Sequence, residues 1–535
     1  MVSRFDINTV ALAGLNLIEA SAGTGKTYTL AELYCRLVLE SDLAVDQILV
    51  VTYTRAATEE LRDRLRQKLV DVRDDLLKDV DEHDLLVRQK LNLAIQSFDE
   101  AAIFTIHGFC QRVLGDFAFE SGLAFDLELI GDDQALLQSA VDDFWRRHIT
   151  TADKKLVTHL LARRESPESL LQSIRPLLGK PYCHYLPIPD VDVEQVYLEA
   201  QAQFQTLKTV WSLEQEWVIA ALQNKALLNG NKYRTASVEK WLLSLAELLS
   251  HDAVPLSLFD AFDRFTPAKL QDAIKGEQPL PELAFWLACE QLLQTIGRLQ
   301  AAQAVQYQQL RYQLLQELHT AVKKQKQQQQ VQSYDDLLLN LQQALEGQGG
   351  DWLVARLREQ YPAALIDEFQ DTDPVQYASF SQIYAGSGLP VFLVGDPKQA
   401  IYSFRGADIF TYLSAKSSAQ QEYTLGTNWR SHPDLVKAVN TLWGRQAEPF
   451  IYDEIPFHAV EAARDNQRVL STQNSNSALQ FLWADSDKPL AKKALTTMAA
   501  NATADEIARL LNQANAGEAM LLDESLSDEK PQQAV

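Results

Sequence analysis

Apolar and polar positions along the chain alternate between two regimes. Four short, nearly unbroken apolar runs, Leu15 to Glu19, Gln47 to Thr52, Ala363 to Ile366 and Pro390 to Val394, are each followed by a turn and then by a helical pattern. A strand covered on both faces reads as a continuous apolar run because neither side-chain direction meets water. Repetition of strand, turn and helix therefore predicts a doubly wound, parallel α/β sheet, whose ligands bind in the loops after the strand ends. Between about Asp132 and Gln332 the strand signals fade and long Leu- and Gln-rich helical patterns take over. Proline-punctuated stretches, Pro176 to Pro189 and Pro255 to Pro281, break those helices apart. The run Gln325 to Gln332 reads either as low complexity or as the solvated end of a helix. After Trp429 the alternation resumes, with a helix over Pro433 to Trp443, a strand-like Ala478 to Trp483 and a helix near Ala504 to Ala514, before a polar tail from Asp523 to Val535. These shifts predict a first lobe in two parts, residues 1–131 and 333–425, an inserted helical domain over 132–332, and the incomplete start of a second lobe over 426–535.

Composition narrows the function classes. The 535 residues, 46% hydrophobic and 23% charged, supply apolar material for several cores. A formal charge of −23 excludes wholesale wrapping of a polyanion. Any contact with nucleic acid must come from a local basic or aromatic track. Cys35, Cys110, Cys183 and Cys289 show no metal-ligand or disulfide spacing, which points to a reducing, cytoplasmic setting. The start MVSRFDINTV lacks the basic, then apolar character of a secretory signal, and no run is long enough to span a bilayer. A soluble protein with no membrane partner is the expectation.

Four segments carry candidate chemistry. Ala20-Ser21-Ala22-Gly23-Thr24-Gly25-Lys26-Thr27 stands directly after a strand and opens a helix, the context of a phosphate-binding loop. Phosphates need inward-pointing backbone N–H groups at a helix N-terminus, and Gly23 and Gly25 let the backbone curl closely enough. Lys26 would reach the β- and γ-phosphates and Thr27 would ligate Mg²⁺; Ala20 stands where the generic pattern has its first glycine. In the second segment an apolar strand runs into Asp367 and Glu368. Asp367 is placed to hold Mg²⁺ and Glu368 to polarise the attacking water, although adjacent acids at a strand end can also be solvated surface. The third, Val394 to Asp408, contains Gln399, a candidate γ-phosphate sensor, and Tyr402 and Phe404, whose rings can stack on unpaired bases or pack in a core. In the fourth, Leu425 to Pro433, Arg430 can neutralise charge on the transferred phosphoryl group.

Together with Val51 to Arg62, Thr105 to Arg112 and Ser333 to Leu337, these segments resemble the ordered motifs of superfamily 1 helicases of the UvrD/Rep type. Within that group, the wording of Leu17 to Lys26, Thr105 to Arg112, Asp367 to Tyr377 and Asn428 to Ser431 is similar to the beta-subunit branch of exodeoxyribonuclease V. The resemblance implies a P-loop NTPase with a RecA-like parallel sheet, a large inserted all-α domain and the start of a second RecA-like lobe. It implies ATP and Mg²⁺ as cofactors, 3′ to 5′ translocation on single-stranded DNA, and action at duplex DNA ends in double-strand break repair and recombination. Its implied partners are the gamma and alpha subunits of exodeoxyribonuclease V. By motif, Tyr53 and His107 fall in segments that relatives lay along DNA, with Arg55 and Arg62 as phosphate contacts; for His107, a hydrogen-bonded helix cap is the alternative.

Relatives of this kind continue with a His-Lys-Ser-Lys-Gly-Leu-Glu motif, a second catalytic arginine and, in this branch, a nuclease domain. None is found after Pro433, and no glutamine that would read adenine stands between Met1 and Asn16. The chain is therefore expected to be a truncated piece of a helicase-nuclease, weak in turnover and without nuclease activity. The alternative is a fragment that acts only in DNA or partner-subunit binding.

Overall fold

Strand β3, Ile48–Thr52, is buried along its whole length, and β7, Ala363–Ile366, and β8, Val391–Gly395, are equally covered. Each forms because a run of Val, Ile, Leu and Phe has helices on both sides to pack against, leaving no polar face. The computed structural model describes residues 2–76, 82–117, 127–276, 279–401, 408–463, 469–471, 478–479, 481, 483–486 and 488–521. Two compact units are distinguished, residues 1–126 with 334–535, and residues 127–333.

The first unit is built on a seven-stranded sheet in the order β1-β9-β2-β8-β7-β3-β4. Here β1 is Ser3–Arg4, β2 Leu15–Glu19, β4 Ile103–Thr105 and β9 Gln421–Thr424. Every pairing is parallel, for example Leu17 with Leu393, Leu365 with Phe392 and Val50 with Leu365. The parallel α/β expectation is met, with the strand edges at Gln47 and Pro390 shifted by one residue to Ile48 and Val391. Because β2, β8 and β7 are neighbours and point the same way, the loops leaving them open side by side on one edge of the sheet. The helices Lys26–Glu40 (α1), Arg55–Asp75 (α2) and Glu82–Gln96 (α3) join the sheet around a core that includes Leu33, Tyr34, Leu65 and Phe98.

Beyond the sheet, β10, Thr427–Asn428, pairs in parallel with β11, Glu461–Ala462. The helix Pro433–Trp443 forms where expected, with proline in its first turn, and the later helix runs from Lys492 to Asn515, longer than expected. The strand expected over Ala478 to Trp483 is not formed at its described residues. Phe481 and Trp483 are instead 73% and 88% exposed. An apolar run becomes a strand only when a neighbour takes up its backbone groups; in this region the ladder is Val469–Ser471 against Ala519–Leu521.

The second unit is organised by a helix of 46 residues, Ala284–Gln329, packed along Val193–Gln223. One core gathers Phe204, Phe262, Phe265, Phe285 and Trp286; another gathers Phe144, Tyr307, Leu314 and Leu318. The glutamine-rich run is the end of that long helix, stopped by Gln330 in a left-handed conformation (φ 55°). Apart from Val331–Ser333 (β6), which pairs in parallel with Glu128–Ile130 (β5) just ahead of the expected insertion, the elements described over 132–332 are helices. Where the chain enters and leaves the unit, the two segments satisfy one another's backbone groups. Among the described residues no helix is long and apolar enough to cross a membrane.

Candidate nucleotide-binding site

The loop after β2 turns sharply because Gly23 and Gly25 take left-handed conformations, φ 78° and 94°. Ala20 is fully buried and its N–H donates to the Gly395 carbonyl (2.9 Å), tying the start of the loop to β8. Thr24 closes the turn, its N–H and hydroxyl both donating to the Ser21 carbonyl at 3.1 and 2.7 Å. Gly25 is the N-cap of α1 and offers no side chain to the first-turn N–H groups. These amides and the positive end of the helix dipole are therefore directed to an external anion. Thr27 is half-buried in the first turn of α1.

The loop after β7 brings its acids to that helix start. The Lys26 ammonium donates to Glu368 Oε2 at 2.5 Å. Asp367 is anchored by its own N–H to the Val51 carbonyl (2.8 Å), and Asp367 Oδ1 accepts the Glu368 N–H (2.9 Å). Glu368 takes a left-handed backbone, φ 49°, uncommon for a residue with a side chain. Burial, and then the nearby Glu368 carboxylate, push the Asp367 carboxyl up to about 6, with Lys26 opposing. Burial and Glu368 likewise raise Asp371 to about 6. Asp371 Oδ1 is buried without a hydrogen-bond partner. Two acids that ionise with difficulty beside an ion pair suit a hard divalent cation held by one or two carboxylates and phosphate oxygens. Among the described residues no group of three or more His, Cys, Asp or Glu could hold a metal by itself.

The loop after β8 supplies the third wall. Gln399 Nε2 donates to Asp396 Oδ2 at 2.7 Å. Lys398 Nζ reaches Glu19 Oε1 at 2.5 Å and Asp396 Oδ1 at 2.9 Å, with both carboxylates almost fully buried. Burial works against its charge, but Glu19 and Asp396 hold the Lys398 ammonium above its ordinary range. This ion pair ties the residue before the loop Ala20 to Thr27 to the turn 396–399.

Residues 427–430 lie across the loop. Trp429 N–H donates to the Gly23 carbonyl (2.7 Å) and Asn428 Nδ2 to the Ala22 carbonyl (2.9 Å). Asn428 Oδ1 then receives the N–H groups of Arg430 and Ser431 at 2.9 and 2.8 Å. A Cβ on Gly23 would lie 2.8 Å from Arg430 Cβ. The exposed Arg430 therefore starts beside the loop Ala20 to Thr27. Next to it opens a cavity of about 460 Å³, lined by Arg4, Asp6, Thr24, Tyr28, Thr427 and Trp429 among others.

The structure thus brings together Lys26, Asp367, Glu368, Gln399 and Arg430 around the loop Ala20 to Thr27. Tyr53, Arg55, Arg62 and His107 stand apart from β2, at the ends of β3 and β4 or on the helices that follow. Arg55 is exposed at the start of α2, while Arg62 Nη2 donates to the Ile103 carbonyl at 3.2 Å, an internal use of that guanidinium. His107 lies in the first turn of the helix Ile106–Asp116, its ring edge-on to Tyr334 at 5.7 Å. Burial lowers its pKa, with Asp335 opposing. The cap of that helix is Thr105, whose hydroxyl accepts the Gly108 N–H. Tyr402 and Phe404 lie outside the described residues. Sequence reasoning missed Gln370, Asn428, Glu19 and Lys398, although all four lie within segments singled out for other residues. The cavity wall from Arg4 to Ile7 left no signal in the pattern.

The family model for the UvrD/REP helicase N-terminal domain matches residues 6–420. The chain is 36% identical to the RecBCD enzyme subunit RecB of Escherichia coli (strain K12) over 507 residues, which covers 90% of the chain and 41% of that protein. It is 34% identical to RecB of Haemophilus influenzae, covering 90% of the chain and 44% of that protein. With RecB of Mycolicibacterium smegmatis the identity is 29%, over 86% of the chain and 32% of the relative. The chain spans less than half the length of each of these relatives. Since the matched region takes in the phosphate loop, the acidic strand end and the sensor turn, the chain belongs to the UvrD/REP helicase family.

Proposed function

We propose that this chain is the ATP-binding motor portion of a 3′ to 5′ DNA helicase subunit of the exodeoxyribonuclease V (RecBCD) type, acting with gamma (RecC) and alpha (RecD) subunits at duplex DNA ends in double-strand break repair. The observation that carries the reading is the contact of Lys26 with Glu368 beneath a phosphate loop crossed by Asn428 to Arg430. Residues 1–131 and 333–425 correspond to one RecA-like lobe, 132–332 to its insertion, and 426–535 to the start of the second lobe.

Without nucleotide, Lys26 and Glu368 neutralise one another. ATP phosphates seated on the N–H groups of Gly23 to Thr27 draw the Lys26 ammonium to the β- and γ-oxygens and release Glu368. The freed carboxylate then accepts a proton from the attacking water. Arg430 faces the charge that develops on the γ-phosphoryl, and Gln399 reports its presence. Thr27 and Asp367 would hold Mg²⁺, whose charge would offset that of the phosphates. The cavity between Arg4 and Trp429 takes the base. Closure of the lobes over ATP would shift the grip on single-stranded DNA. Tyr53, Arg55, Arg62 and His107 would provide that grip, with Tyr402 and Phe404 as stacking platforms.

The test is ATP hydrolysis by the chain with and without an oligo-dT strand, beside titration with a fluorescent ATP analogue. Nucleotide binding that Lys26→Ala weakens by about 10- to 100-fold, with turnover that DNA accelerates, is the expected result. Binding indifferent to Lys26→Ala would refute the assignment of the site. DNA binding that ignores ATP would leave a fragment serving DNA or partner contact alone.

A further inference from the structure

Gln370 is 2% exposed, yet both ends of its side-chain amide are engaged within the site. Nε2 donates to Glu368 Oε2 at 2.7 Å, and Oε1 accepts the Asp396 N–H at 2.9 Å. The orientation of the amide is dictated by its partners, since a carboxylate can only accept and a backbone N–H can only donate. Asp396 in turn holds Gln399 through Oδ2 and Lys398 through Oδ1. An unbroken chain of bonds therefore runs from Lys26 through Glu368, Gln370 and Asp396 to Gln399. It joins the loop after β7 to the loop after β8. The approach needs a glycine at the end of β8: a Cβ on Gly395 would fall 2.6 Å from Gln370 Oε1 and 3.0 Å from the Gln370 nitrogen.

We propose that Gln370 is a positioning residue that ties the orientation of the Glu368 carboxylate to the state of the 396–399 turn. The inference rests on the reading of Glu368 as the group that activates water. A planar amide cannot move one end independently of the other. When Gln399 engages a γ-phosphate and Asp396 shifts with it, the amide turns and Glu368 is re-aimed. Once Lys26 leaves for the phosphates, Gln370 Nε2 is the donor that stays on Glu368 Oε2. Only glutamine suits the position. Glutamate lacks the donor, asparagine is too short, and methionine keeps the volume but has neither function.

The experiment combines Gln370→Met, Gly395→Ala and Glu368→Gln in the full chain, with single-turnover ATP hydrolysis on oligo-dT and the affinity for a fluorescent ATP analogue as readouts. Gln370→Met should lower the hydrolysis rate by roughly 10- to 100-fold, the loss expected when a reacting group is misplaced by about an ångström. Nucleotide affinity should change by less than about 3-fold, because the ground-state phosphate contacts are untouched. In the Glu368→Gln background the same substitution should add no further loss, since it acts through Glu368. Gly395→Ala, which displaces the bridge without altering Gln370, should reproduce the rate defect and keeps the test open if Gln370→Met folds poorly. A Gln370→Met rate within about 2-fold of the parent, or losses that multiply with those of Glu368→Gln, would overturn the positioning role. A Glu368→Gln protein that hydrolyses ATP at the parent rate is a different failure, since it removes the role of Glu368 and this inference with it.

Discussion

Replacing Asp367 with asparagine should stabilise the nucleotide-free protein while abolishing its turnover. Burial and the neighbouring Glu368 move the Asp367 carboxyl from 3.8 to about 6. The folded state thus binds this proton more tightly than the unfolded chain. Ionisation therefore opposes folding; the penalty is fully present above about pH 6 and vanishes as pH falls below 3.8. Two pH units at about 1.4 kcal/mol each set a ceiling of roughly 3 kcal/mol. Solvent screening of a partly exposed carboxylate reduces this to about 1–2 kcal/mol. Asparagine keeps the oxygen that accepts the Glu368 N–H and removes the charge. In EDTA at pH 8 the variant should melt about 1–3 °C above the parent, with the gap closing as pH is lowered towards 4. In Mg²⁺ and ATP the order should reverse, because the parent gains from a cation held by Asp367 and the variant does not. Thermal melting across pH 4 to 8, in EDTA and in Mg²⁺ with ATP, checks both halves. A variant no more stable than the parent at pH 8 in EDTA would refute the claim that the carboxylate is held under electrostatic strain.

Three further outcomes follow from the same geometry. Gly23→Ala combines a left-handed backbone with a Cβ 2.8 Å from that of Arg430; it should destabilise the protein by about 1–3 kcal/mol and abolish binding in a fluorescent-nucleotide titration. Lys398→Met leaves Glu19 and Asp396 without their shared partner and should cost about 3–5 kcal/mol in a urea melt, whereas Lys398→Met with Glu19→Gln should cost less than the sum of the two single changes. Asp6→Ala, at the wall of the cavity beside the loop, should leave triphosphate affinity within about 3-fold while altering the preference for ATP over GTP, measured by competition, because a hydrogen-bonding group that faces a base discriminates more than it binds.

What could be read from the chain without its structure divides along a physical line. Strand β2 was legible because both its faces are covered, and the helix Pro433–Trp443 because proline marks its first turn and Gly444 follows its last residue. The helix from Lys492 was read only in its second half, since its first residues, Lys492 to Ala500, are exposed throughout and carry no stripe of buried positions. The β5–β6 pair has three residues a side and joins segments about two hundred positions apart, so no local period announces it. The same division holds in the site. Lys26 opens the helix after β2 and Asp367 and Glu368 follow the end of β7, each in recognisable context, whereas the work of Asn428 depends on the Ala22 carbonyl, 406 residues earlier in the chain. Gln370 stood inside a segment already singled out, but its partner Asp396 lies in the loop after another strand.

The acidity of the chain looks at first unsuited to holding a triphosphate, since Glu19, Asp367, Glu368, Asp371 and Asp396 all converge on the loops after β2, β7 and β8. Their pairing resolves the difficulty. Glu19 and Asp396 share Lys398, and Lys416 stands 3.9 Å from Glu19, so most of their charge is met inside the protein. Glu368 is paired with Lys26; on the proposed reading an arriving triphosphate would take Lys26 over and free the Glu368 carboxylate. Asp367 and Asp371 remain, both pushed up to about 6 and one with an unpartnered buried oxygen. At neutral pH two such carboxylates would repel a bare triphosphate and attract a divalent cation, so the proposed site is expected to favour the metal-bound nucleotide before any contact with the base is made. Chelating Mg²⁺ should therefore weaken ATP binding more in the parent than in Asp367→Asn, because the variant lacks one of the charges the cation relieves.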